Sequence, residues 1–252
     1  AIDKYVLKPR LDASSNGVLI GNRQEIINST EKITRPEQWL IEAYIPGEIY
    51  HIDGFIEQGF IKTMQTSKYI NTCLNYASGA PLGSAQIPEP SWAKSFTEKI
   101  TQALRYANGS LHLEVIVDQN GQPYFLEFAG RVGGSYVVET FELKTGINLH
   151  QCDLKMLIGR EIDWPNTRNE HRYFGSFIFP YGAKISSDFS ASAFQNALLK
   201  LEINPHPAIP SATSYLSKHS PMSGIVQAQM DCDQLVLRIM SSASKTNTPV
   251  IV

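Results

Sequence analysis

The chain has 252 residues, 42% hydrophobic and 18% charged, enough for a substantial core in one large domain or two smaller ones. A formal net charge of −2 gives no electrostatic case for nucleic acid or a membrane surface. Cys73, Cys152 and Cys232 are odd in number and far apart, so neither a disulfide framework nor a zinc site is indicated, and they fit a reducing cytoplasm. No apolar run is long enough to span a bilayer, and the opening AIDKYVLKPR lacks the apolar stretch of a signal peptide.

In chain order, Tyr5 to Leu7 reads as a strand running into Lys8-Pro9. A small polar loop, Leu11 to Asn16, leads through Gly17 to a strand at Val18 to Ile20. Asn22, with Glu25 three residues on, forms a capping signature for a helix over Arg23 to Thr30. Strands are expected at Trp39 to Tyr44 and Glu48 to Ile56. Gln58-Gly59 then turns the chain into a strand from Phe60 to Thr66. Residues 71 to 90 hold Gly79, Pro81, Gly83, Pro88 and Pro90 and read as a long loop. Ser91 is the expected cap of a helix whose apolar stripe is Trp92, Phe96, Ile100, Leu104 and Ala107.

The stretch Leu111 to Arg131 reads as a β-hairpin with Asn120-Gly121 as its turn. A turn centred there sets Gln119 against Gln122 and Glu114 against Glu127. Period-two alternation puts both carboxylates on one face, with Ile116, Phe125 and Ala129 as neighbours. Like charges directly across a ladder destabilise it, so a cation is expected between them. Two hard oxygen ligands suggest Mg²⁺, completed by a phosphate substrate. Arg131 follows closely and suits an anion at the same place. Gly130, Gly133 and Gly134 permit irregular backbone before a helical stretch to Gly159, with Asn148 capping its last segment.

The polar, proline-containing DWPNTRNEHR marks a boundary near residues 160 to 171. Beyond it are expected a strand at Tyr173 to Phe179 and an amphipathic helix at about 188 to 202. A Pro-rich crossing (204 to 210), a strand at Gly224 to Met230 and a helix at about 233 to 243 follow. Among buried polar candidates, His51, Asp53 and His112 could support the carboxylates.

These features stand in one order: a strand ending Lys-Pro, a Ser/Asn/Gly loop, IEAYIPGEIYHIDGF, and the paired-Glu hairpin ending EFAGRVGG. Together they resemble the ATP-grasp superfamily, in its biotin-carboxylase-like and L-amino-acid ligase branch. The resemblance implies an α+β fold with two lobes built on antiparallel sheets. Residues 1–165 would be the ATP-grasp domain (1–45 a partial small lobe, 46–165 the large lobe), and 172–252 a small C-terminal α+β subdomain. It implies that a Rossmann-like N-terminal domain or subunit, carrying another nucleotide-binding lysine, is missing, so that the chain is a fragment that binds ATP poorly.

The resemblance also implies roles. Lys8 reaches the nucleotide phosphates, and the Ser14-Ser15-Asn16-Gly17 loop closes over the γ-phosphate. Backbone at Glu42, Ala43 and Ile45 pairs with the adenine edge, and Glu48 holds the ribose hydroxyls. Glu114 and Glu127 ligate Mg²⁺, with Mn²⁺ as an alternative, and Arg131 is the catalytic arginine. Gly133, Gly134, Lys68 and Asn71 are substrate candidates. Ala129 stands where the family often has a third metal ligand, Asn, which leaves a second Mg²⁺ with fewer protein ligands. The implied activity is ADP-forming ligation of a carboxylate and an amine through an acyl phosphate. The alternatives are carboxylase or carbamoyl-phosphate-like chemistry, or a non-catalytic nucleotide-binding module. Partners are small-molecule substrates, with a homodimer as a compatible assembly and neither nucleic acid nor membrane.

Overall fold

The computed structural model describes residues 3–11, 15–165 and 168–244. The first elements make a small antiparallel sheet. β1 (Tyr5–Pro9) lies between β2 (Leu19–Gly21) and β3 (Trp39–Ala43), so β3 has one open edge. α1 (Arg23–Thr30) starts with the expected reciprocal cap. Asn22 accepts from the N–H groups of Gln24 and Glu25, and the Glu25 carboxylate accepts from Asn22 N–H at 2.7 Å. These bonds satisfy donors that the first helical turn leaves unpaired.

The large sheet has eight antiparallel strands. β4 (Gly47–Glu57) and β5 (Phe60–Ile70) lie at its centre, followed outward on one side by β7 (Gly109–Asp118) and β8 (Pro123–Ala129). On the other side come β6 (Leu82–Gln86), β9 (Tyr173–Ile178), β11 (Met222–Ala228) and β10 (Leu198–Ile203). β6 pairs with β9, so the strands beyond residue 172 extend this same sheet.

Strand alternation sorts the two faces. Ile52, Ile56, Leu111, Leu113 and Val115 point to one face and pack under α3 (Ala93–Ala103). On that face α6 (Cys232–Ala243) covers Ile70, Ala85 and Phe177. Glycines let α6 come this close: a Cβ on Gly83 would sit 2.5 Å from Val236, and one on Gly175 2.7 Å from it. The opposite face buries Phe55 against α4 (Val137–Thr145) and α5 (Leu149–Leu157). Elsewhere it carries a polar row.

Four expectations change. Residues 71 to 90 contain α2 (Cys73–Ala77) and β6. The β6 sequence LGSAQ has no β-branched residue, and pairing on both edges decides its state. The expected helix at 188 to 202 is instead a 3₁₀ turn at Ala191–Phe194 followed by β10. α3 begins after Trp92, without the expected Ser91 side-chain cap. The carboxylate hairpin turns through three residues, 119 to 121. Gly121 N–H donates to Asp118 O at 2.9 Å, and Gly121 takes φ +77°. This loop shifts the register by one, pairing Val115 with Phe125. A bulge beyond Val115 restores it, so Glu114 still faces Glu127. Tyr124, opposite Ile116, therefore replaces Phe125 on the carboxylate face.

Candidate active site

The polar row crosses four strands in register: Glu127 faces Glu114, Glu114 faces His51, and His51 faces Ser67. One step along the strands, Ala129 faces His112 and His112 faces Asp53. These side chains are bonded into a chain. Asp53 Oδ2 accepts from His51 Nδ1 at 2.5 Å, and Asp53 Oδ1 from His112 Nδ1 at 2.8 Å. His112 Nε2 lies 3.4 Å from Glu114 Oε1, and the Tyr69 hydroxyl donates to the same oxygen at 2.9 Å. His51 Nε2 meets the Ser84 hydroxyl at 2.6 Å.

Burial alone would raise the Asp53 pKa, but the charges and hydrogen bonds of His112 and His51 hold it well below the carboxylate range. Burial alone would lower that of His112, but Asp53 and Glu114 raise it to about 10. At Glu114 burial is likewise outweighed by His112 and Tyr69, and the pKa is lowered. Glu127 behaves differently. Burial and then the charge of Glu114 raise its pKa, against His112, Arg131 and Lys8. The two carboxylates therefore repel one another in the ladder, and a cation between them would relieve that repulsion. The donor set fits Mg²⁺ on that ground, with two protein carboxylates and the rest of the shell left to water and phosphate. His51, Asp53 and His112 also converge closely enough to resemble a metal site. Their contacts of 2.5 and 2.8 Å are hydrogen bonds, too short for ligands on opposite sides of a tetrahedral ion with bonds of about 2.0–2.1 Å.

The other expected residues divide. Lys8 pairs with Glu42 at 2.7 Å, and its charge reaches Glu127. Arg131 is exposed, its charge also reaching Glu127, and it donates to the Val132 carbonyl at 2.7 Å. Ser14 lies outside the described residues. Ser15 (φ 57°) and Gly17 (φ 71°) shape the loop beside Asn16, and Gly17 packs on Pro9 and Trp39. Glu42 and Ala43 end the open-edged β3. Among the described residues no backbone carbonyl accepts from Ile45 N–H, whereas Tyr44 N–H donates to Lys4 O.

Glu48 is not brought to this group. It pairs with Val117 on the opposite sheet face, and its carboxylate is held by Lys68 at 2.5 Å and by Tyr50 at 2.8 Å. Lys68 shares that face. Asn71 (φ 71°) donates to Pro81 O and accepts from Asn75, which ties down the α2 loop. Gly133 lies against the buried pair: a Cβ there would sit 2.8 Å from Asp53 Oδ1 and 2.9 Å from His112 Nδ1. Gly134 has open space around it. Tyr69 was missed because β5 was expected to end at Thr66. Carrying the alternation on from Ser67 would have placed it on the carboxylate face.

Residues 3–139, more than half of the chain, match the family model described as an ATP-grasp domain. The chain belongs to the ATP-grasp family. No curated protein sequence matches it. Among solved structures it is similar to the L-amino acid ligase from Bacillus licheniformis, at 17% identity and TM-score 0.66, covering 95% of this chain and 62% of that one. It is similar to the N5-carboxyaminoimidazole synthetase from Staphylococcus aureus, complexed with ADP, at 13% and TM-score 0.65, covering 95% and 61%. A third is the biotin carboxylase domain of 2-oxoglutarate carboxylase from Hydrogenobacter thermophilus, complexed with MgADP, ADP and bicarbonate, at 15% and TM-score 0.62, covering 95% and 56%. At these identities the likeness establishes the ATP-grasp fold, α+β with antiparallel sheets. The chain spans roughly three fifths of the length of those ATP-grasp structures. Among the described residues no helix is long and apolar enough to cross a membrane.

Proposed function

We propose that the protein to which this ATP-grasp chain belongs is an ADP-forming carboxylate–amine ligase. The observation that carries this reading is the Glu114–Glu127 pair, set in register across the hairpin beside the charges of Lys8 and Arg131. Glu114 and Glu127 would hold Mg²⁺, which when bound neutralises charge on the transferring phosphoryl group. Lys8 neutralises the nucleotide phosphates after leaving Glu42. Backbone at Ala43 and Ile45 meets the adenine edge. Arg131 pairs with the phosphoryl group as it passes to the substrate carboxylate, whose oxygen bonds to the γ-phosphorus as the bond to ADP breaks. The amine then attacks the acyl carbon, loses a proton and releases phosphate. Catalysis is positioning and electrostatics, with no covalent enzyme intermediate. Gly134, with its uncrowded backbone, is the place for the acyl substrate to approach.

The test uses the full-length protein with ATP, Mg²⁺ and a pool of amino acids. The expected products are ADP and phosphate. Glu127→Gln should remove at least about 100-fold of turnover, because even outer partners of metal ligands are worth 10–100-fold. AMP and pyrophosphate as products, or a Glu127→Gln enzyme that turns over normally, would overturn the reading.

A further inference from the structure

One group in this sheet is buried, polar, hydrogen-bonded within itself and unused by the proposed chemistry. Asp53, His51 and His112 lie almost entirely out of solvent at the centre of the large sheet. Buried ionised groups are costly unless paired and hydrogen-bonded, and a hydrophobic trio would fill the same space at lower cost. Their contacts show a direction. Asp53 uses both oxygens on imidazole nitrogens, so each ring is fixed in its plane. The fixed His112 ring turns its other nitrogen toward Glu114 Oε1, where the Tyr69 hydroxyl also arrives. Among the described residues nothing bonds to the second oxygen of Glu114. Gly133 closes the arrangement from the other side, with its α-carbon packed against Asp53 and His112 so tightly that no Cβ fits.

We infer that Asp53, His112 and Tyr69 are positioning residues for Glu114, holding one carboxylate oxygen so that the other stays turned to the metal and nucleotide. This rests on the ligase reading above. Freed from these bonds, Glu114 has several rotamers, and ordering it on metal binding would carry an entropic cost. Among the described residues nothing hydrogen-bonds to the Glu127 carboxylate in this way, so one ligand is rigid and the other adjusts. Outer hydrogen-bond partners of metal ligands are worth about 10–100-fold in metal affinity.

The experiment is a titration of the full-length protein with Mn²⁺, with a non-hydrolysable ATP analogue present and free Mn²⁺ followed by paramagnetic resonance. His112→Gln should weaken Mn²⁺ binding by about 10-fold or more. Tyr69→Phe removes only a hydroxyl and should weaken it several-fold, which keeps the test decisive if His112→Gln does not fold. Circular dichroism and urea midpoints separate affinity from fold. A purely structural role predicts lowered midpoints with unchanged Mn²⁺ affinity, and that outcome would overturn the inference. Nitrogen hyperfine coupling from an imidazole bound directly to Mn²⁺ would also overturn it, since His112 would then be a ligand. A parent protein that binds no Mn²⁺ with the analogue would overturn the ligase reading and this inference with it. Parent binding with unaffected variants would remove the positioning role alone.

Discussion

Gly133 and Gly134 are neighbours with opposite reasons for lacking a side chain. Neither has a left-handed φ. A Cβ on Gly133 would meet Asp53, Val137 and His112 at 2.8–2.9 Å, while one on Gly134 would meet nothing within 4 Å. Gly133→Ala should therefore cost about 1–3 kcal/mol, the usual penalty for overpacking. Gly134→Ala should change stability by no more than about 0.5 kcal/mol. Urea denaturation of both variants checks this, and equal losses would contradict the packing difference. The same pair shows what a sequence discloses at this scale. The glycines and both carboxylates are visible in EFAGRVGG and LHLEV, but alternation from a two-residue turn sets Glu114 opposite Glu127 only because the bulge cancels the longer turn. Glu48 has no such local basis: its role as a ribose ligand is implied by the resemblance alone, and its parity, unlike that of His51, puts it on the sheet face opposite the carboxylates. Contacts that cross between strands, such as Tyr69 to Glu114, require a register that no local pattern supplies.

Elements with local signals were legible, and elements defined by partners were not. The Asn22–Glu25 cap and the Asn148 cap of α5 each rest on atoms within four residues. β6 and β10 lack such signals. The β10 stretch LLKLEI carries good helix formers and becomes a strand by pairing with β11. The hairpin kept its Glu–Glu pairing although the turn gained a residue, because the bulge compensates the shift. For β6 the tell-tale residue is Gly83, which admits α6 rather than marking a loop. Gly83→Ala places a methyl 2.5 Å from Val236 and 2.8 Å from Met240 Sδ. We expect a loss of about 1–3 kcal/mol in unfolding free energy, measured by urea titration. A neutral result would mean that α6 is free to move off the sheet.

For the whole molecule, the eight-stranded sheet is what ties the boundary at residues 160 to 171 together, through the β6–β9 pairing. Its stability should carry an alkaline limb. Burial raises the Cys232 thiol to about 12 and, with Asp153, the Cys152 thiol to about 11, from an ordinary 9.0. A pKa raised by folding means that the folded state holds its proton more tightly. The stabilisation is complete below pH 9 and is lost as pH rises through 11 and 12. The unfolding free energy should therefore fall between pH 9 and pH 11, and Cys232→Ala together with Cys152→Ala should flatten that fall. A profile unchanged to pH 11 would contradict the burial of these thiols.

The claim at the centre of this account is that a substrate carboxylate attacks the γ-phosphate of ATP beside Glu114, Glu127 and Arg131. The most direct measurement follows the oxygen atoms. The full-length protein would be given ATP, Mg²⁺ and a pool of L-amino acids labelled with ¹⁸O in their carboxyl groups, and the released phosphate analysed by mass spectrometry. An acyl phosphate that is captured by an amine leaves one carboxylate oxygen on the phosphate, so one ¹⁸O per phosphate is expected for each ligation. Unlabelled phosphate accompanying a ligated product, or label recovered in AMP, would contradict the account.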